Sequence, residues 1–206
     1  MVMSLQRRFA RFLRDERGNL TVEFMLWLPV LVFWLILSLV LFDAYKSRND
    51  ASKAAYVIAD LVSRESVLTE DRLDMLYALQ DEMIPRADPD KGLRITNVKC
   101  ERKDSTSPCD YQVLWSVKPS SVPSTVAGMD PITADEDLPE ELFPPAMRDE
   151  EEMLLVEMHA PFSPLVDWVG IGANNWVFRI VTRTRYVVGL ACDPNWSACP
   201  EEEVSG

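Results

Sequence analysis

Residues Phe24 to Phe42 are nineteen consecutive positions without a charged side chain, interrupted only by Pro29 and Ser38. Wound as a helix at about 1.5 Å per residue, this run matches the ~30 Å hydrocarbon layer of a bilayer. A secretory signal core is shorter, about 7 to 15 residues, and ends in a small-x-small cleavage site. Here the run gives way to "LVLFDAYKS", which has no such site. The chain is therefore expected to keep the run as a single-span anchor, with its folded part on one side of the membrane.

The flanks set the direction. Residues 1–18 carry Arg7, Arg8, Arg11, Arg14 and Arg17 against Asp15 and Glu16, a net of +3 in a chain of net −12. The positive-inside rule holds the basic leader in the cytoplasm and exports the acidic remainder to the periplasm. A domain so acidic is a poor match to the phosphate backbone, so nucleic acid is excluded as a partner class. All four cysteines follow the span, as Cys100 with Cys109 and Cys192 with Cys199. Close spacing in an exported domain predicts two short disulfide loops, Cys100–Cys109 and Cys192–Cys199. Zinc would favour CxxC-like knuckles, and neither pair has that spacing.

Neither proline nor glycine occurs from Val30 to Ile84, so the span is expected to continue outward as helix through about residue 65. Ala51, Ala54, Ala55, Ile58, Leu61 and Val62 form a narrow small-residue stripe at helical spacing. A second helix is expected near Thr69, with Glu70 and Asp71 at its positive end, an apolar face of Leu73, Leu76, Tyr77, Met83 and Ile84, and a stop at Pro85. The period then changes to two. Strands are predicted over 93–100 and 111–118, the second with Tyr111, Val113, Trp115 and Val117 on one face. The slip between Ile95 and Val98 predicts a bulge or a turn of register. Further strands are expected at 153–160 and within 176–191, and the proline- and acid-rich stretch 119–152 reads as a long surface excursion. The class is α+β, a long N-terminal helix and a short helix followed by a small antiparallel sheet. The expected divisions are a leader (1–18), a transmembrane and extended helix (19–65) and a periplasmic domain (66–206).

The segment "RDERGNLTVEFMLWLP" carries chemistry of its own. Gly18 follows the basic leader, and Glu23 and Phe24 open the apolar helix. A leader, a glycine and a glutamate five residues later resemble a type IV prepilin signal. "GNLTVEF", Pro29 and the alanine-rich extension are more narrowly similar to the TadE family of minor pseudopilins in the Tad (tight adherence) branch. Asn19 stands where many type IV pilins have Phe, and the leader mixes acids with its arginines. The resemblance implies cleavage between Gly18 and Asn19 by a membrane-embedded prepilin peptidase. A glycine suits that step because it admits close approach of an extended backbone. It also implies that Glu23, costly at about 2.5 to 3.5 kcal/mol if left inside lipid, pairs with the α-amino group created by the cut and registers subunits in a filament. The implied partners are other Tad pilins and pseudopilins, the peptidase, an inner-membrane assembly platform and membrane lipid. The implied work is assembly at a pilus tip, base or priming step, without a cofactor.

Three other features have plainer explanations. His159 stands alone and cannot build a multi-histidine metal site. It is expected to be structural. The acids Asp135, Glu136, Asp137, Glu140, Glu141 and Asp149 to Glu152 lack a D-x-[DN]-x-[DN]-G calcium pattern and read as a solvated loop or a docking face for a basic partner. The apolar stretch 161–176 reads as core packed over the sheet, the alternative being a patch that docks another pseudopilin or skims the membrane. No catalytic constellation is visible. The rival function is an uncleaved, TadG-like anchored protein whose outer domain binds an envelope or surface ligand.

Overall fold

The computed structural model describes residues 19–84, 90–103, 107–123, 126, 128–133, 138–139, 142, 147–164 and 174–199, excepting the side chains of 19, 20 and 174. The chain separates into two compact units, Met1–Asp43 and Ala44–Gly206. One helix, α1 (Asn19–Val62), runs from the first into the second, and its 44 residues rise about 66 Å.

In the first unit α1 is apolar and open. It is long and apolar enough to cross a membrane, and only 6% of its most apolar eighteen-residue window is buried. A core helix of a soluble domain would show the reverse. Phe24, Trp27, Trp34 and Phe42 all stand exposed on it. Pro29 lies inside the helix, as spanning helices tolerate.

In the second unit the remainder of α1 buries its stripe. Ala51, Ala54, Ala55, Ile58 and Val62 are buried in the main core, Leu61 packs against it partly buried, and Ala59 joins the buried set, because small side chains let the helix approach the sheet closely. After β1 (Val67–Leu68) comes α2 (Glu70–Met83), capped by Thr69, whose hydroxyl accepts from the Arg72 amide at 3.3 Å. Glu70 and Asp71 lie in its first turn as expected, and Leu73 and Leu76 enter the core. Gln80 joins them on the buried face, donating Nε2 to the carbonyls of His159 at 3.2 Å and Gly92 at 3.4 Å. Pro85, the expected stop, lies outside the described residues; the helix itself ends at Met83.

The sheet is antiparallel, in the order β3 (Asp110–Val117), β2 (Gly92–Glu101), β4 (Glu152–Phe162), β5 (Asn174–Thr182). Its inner face, with Leu93, Ile95, Trp115, Val117, Leu154, Val156 and Met158, shares one core with both helices. A short parallel pairing of β1 with β6 (Ala191–Cys192) ties the C-terminal segment to the end of α1. Backbone bonds from Arg185 to Ser63 (2.8 Å) and from Asp193 to Leu68 (3.0 Å) extend that tie. Cys100–Cys109 closes the turn between β2 and β3, and Cys192–Cys199 closes the final loop, with Cα separations of 5.3 and 5.7 Å.

Two expectations are corrected. The bulge falls where Asn97 and Val98 meet Trp115 and Val113, leaving Leu114 as the extra residue on β3. Tyr111 and Val113 are thereby turned to the outer face, away from Trp115 and Val117. Nor is 119–152 a mere surface excursion. Ile132, Leu138 and Leu142 pack on Val98, Val113 and Leu155, while Val122, Val126 and Met129 form a satellite cluster against Tyr77. Both sheet faces are covered, which is why β2 and β4 are buried along nearly their whole length.

Candidate functional site

Of the residues singled out at the amino end, Asn19, Glu23 and Phe24 lie on α1. Asn19 is its first residue, and Glu23 and Phe24 are exposed on its first turns. Gly18 lies outside the described residues. Glu23 is the only ionisable side chain from Asn19 through Phe42, so a lone carboxylate opens an otherwise apolar and exposed surface.

The second place emerges only in the folded sheet. Arg94 on β2, Glu157 on β4 and Arg179 on β5 are direct cross-strand neighbours. Alternation along three strands points all three to the outer face, where they make an ion ladder. Arg94 Nε donates to Glu157 Oε2 at 2.8 Å and Arg179 Nε donates to Glu157 Oε1 at 3.2 Å. The Arg94 and Glu157 side chains are only 7% and 3% exposed. Arg94 also donates Nη1 to the Asp130 carbonyl at 2.7 Å, fastening the covering segment to the sheet. The Asp130 carboxylate is held by Lys118 at 2.8 Å, and that hydrogen bond lowers its pKa.

This ladder floors a cleft of about 550 Å³ lined also by His159, Val177, Pro131, Ile132 and Leu142. His159 Nδ1 stands 3.3 Å from the Asn175 side-chain amide. Burial lowers its pKa; Glu157 opposes that, and Arg94 and Arg179 reinforce it. Two guanidiniums on one carboxylate, with an uncharged imidazole at the rim, can hold and orient a polar ligand. Among the described lining residues there is no Ser, Thr, Cys or Lys.

Of the acidic stretch, Asp135, Glu136, Asp137, Glu140 and Glu141 lie outside the described residues. The others are engaged: Asp149 accepts from the Arg102 amide at 2.9 Å, Glu150 pairs with Lys99 at 2.5 Å, Glu151 with Arg183 at 2.7 Å, and Glu152 accepts from Asn97 at 3.1 Å. Among the described residues no group of three or more His, Cys, Asp or Glu is placed to hold a metal ion. Most of the apolar stretch 161–176, from 165 to 173, is likewise outside the described residues. The chain matches no known protein family, no characterised protein and no solved structure.

Proposed function

We propose that this chain is a TadE-like minor pseudopilin that takes part in assembling a Tad-type pilus, anchored in the bacterial inner membrane by α1 with its sheet domain in the periplasm. The observation that carries the reading is Glu23, the sole ionisable group on an exposed apolar helix surface. In lipid such a carboxylate needs a partner. Cleavage after Gly18 would create one, an α-amino group at Asn19, four residues away on the same or a neighbouring chain. The apolar surface of α1 then supplies the polymerising contact, and the sheet domain supplies the choice of partner. The test is Glu23→Ala, compared with the parent for membrane level, processing and presence in sheared filaments. Processing and membrane level should persist while filament incorporation falls; equal incorporation would sink the role of Glu23.

The cleft over the Arg94–Glu157–Arg179 ladder favours a second reading, an uncleaved TadG-like anchored protein that binds an envelope or surface ligand there. A chain that keeps its leader in native membranes and adheres through the outer domain would select that reading.

A further inference from the structure

We infer that the side chains just beyond the apolar run of α1 form a receptor for a phosphate-bearing anion, met in the membrane as a phospholipid headgroup. Tyr45, Arg48, Asn49 and Ser52 recur at helical spacing on one face of α1 and, with Phe178 of β5, line a cleft of about 240 Å³. A phenol, a guanidinium, an amide and a hydroxyl thus converge on one concavity with an aromatic floor. Among the described residues none of the four has a hydrogen-bond partner for its side chain. Arg48 has no carboxylate partner there either, since nearby Asp50 faces Lys53 at 3.9 Å.

Arg48 is nevertheless held in place. Its Cζ lies 5.4 Å from the centroid of the Trp176 ring, and Trp176 is in turn packed beside Phe162 at 6.3 Å between centroids. Cation–π stacking orients the planar fork while leaving its N–H edge for an acceptor. The Trp176 indole N–H is itself buried without an acceptor among the described residues. Phosphate oxygens answer this set well, because Arg binds them two at a time and hydroxyl and amide donors complete the shell.

The place along the helix fits a lipid source. Tyr45 and Arg48 follow Phe42 by about 5 and 9 Å of helical rise, and headgroups fill about 5 to 8 Å beyond the hydrocarbon, so Tyr45 lies within that layer and Arg48 at its outer edge, within reach of a long side chain. This step rests on reading α1 as a membrane span. A soluble phosphate would satisfy the same donors.

The experiment uses the full chain in micelles of a neutral sugar detergent and follows the Trp176 indole N–H resonance, assigned by its loss in Trp176→Phe. The probes are dihexanoyl phosphatidylglycerol, inorganic phosphate and a neutral short-chain diacylglycerol. A saturable shift is expected with a phosphate-bearing probe and not with the diacylglycerol. Arg48→Gln should weaken it by about fivefold or more, as one basic residue near a lipid surface contributes, and Arg48→Lys by less. A shift with phosphatidylglycerol alone assigns the headgroup as source, and an equal shift with inorganic phosphate assigns a soluble anion. No saturable shift with either, or unchanged affinity in Arg48→Gln, overturns the receptor. Alkaline extraction of native membranes tests the span separately, so its failure and that of the receptor are told apart.

Discussion

Arg94 and Glu157 face each other in register across β2 and β4, with Nε to Oε2 at 2.8 Å and both side chains less than a tenth exposed. A pair so deep stabilises only while both charges are present, because removing one partner strands the other away from water. Arg94→Met should therefore cost about 3 kcal/mol, read as a lowered unfolding midpoint of the outer domain. The double variant Arg94→Met with Glu157→Leu should recover much of that loss. Equal midpoints for the parent and Arg94→Met would show that the ladder is not a buried electrostatic element.

Gly189 has φ +86°, and a Cβ there would collide with the Glu152 carboxylate. Gly189→Ala should thus destabilise through both backbone strain and crowding, by about 1 to 3 kcal/mol. Glu152→Ala placed beside it should relieve the crowding and restore part of the midpoint. If Gly189→Ala unfolds with the parent, the segment leading into β6 does not hold this turn in the folded state.

His159 gives the domain a pH dependence of known sign. Its folded pKa lies below the ordinary 6.5 because burial disfavours the cation. The unfolded chain then binds the extra proton first, so stability is full above about pH 6.5 and declines as pH falls toward the lower folded value. His159 is the only histidine, and ordinary carboxylates titrate lower. Unfolding midpoints should therefore fall between about pH 6.5 and 5.5 in the parent and stay flatter in His159→Asn. Parallel profiles for the two would contradict a buried, uncharged imidazole.

The final loop is closed over a sequence separation of 7 by Cys192–Cys199, next to β6 and its pairing with β1. Cys192→Ser with Cys199→Ser should cost about 2.5 kcal/mol by loop-closure entropy. The loss should also increase exchange of the Asp193 amide, which donates to the Leu68 carbonyl at 3.0 Å. An unchanged exchange rate would mean that the pairing of β1 with β6 holds without the disulfide.

How much of this was legible follows from which forces are local. The alanine stripe and the Thr69 cap are short-range signals and appear where the sequence put them, while the strand periods locate the strands but not which way each half of β3 faces. The outer face was not legible, because Ile132, Leu138 and Leu142 sit among prolines and acids without a period to read. The bulge was anticipated, but its consequence for Tyr111 and Val113 depends on which strand carries the extra residue. The ion ladder was invisible for a similar reason. Arg94, Glu157 and Arg179 lie far apart in sequence, and only strand register makes them neighbours. His159 is read from the sequence as structural because it stands alone, and its place at a cleft rim comes from that same register.

The central claim concerns the bond between Gly18 and Asn19, and the most direct measurement is the intact mass of the chain recovered from native membranes and from sheared filaments. A mature chain beginning at Asn19, with Gly18→Trp accumulating as a precursor that retains residues 1–18, is the predicted result. A native chain that still carries residues 1–18, in membranes and filaments alike, would contradict the account.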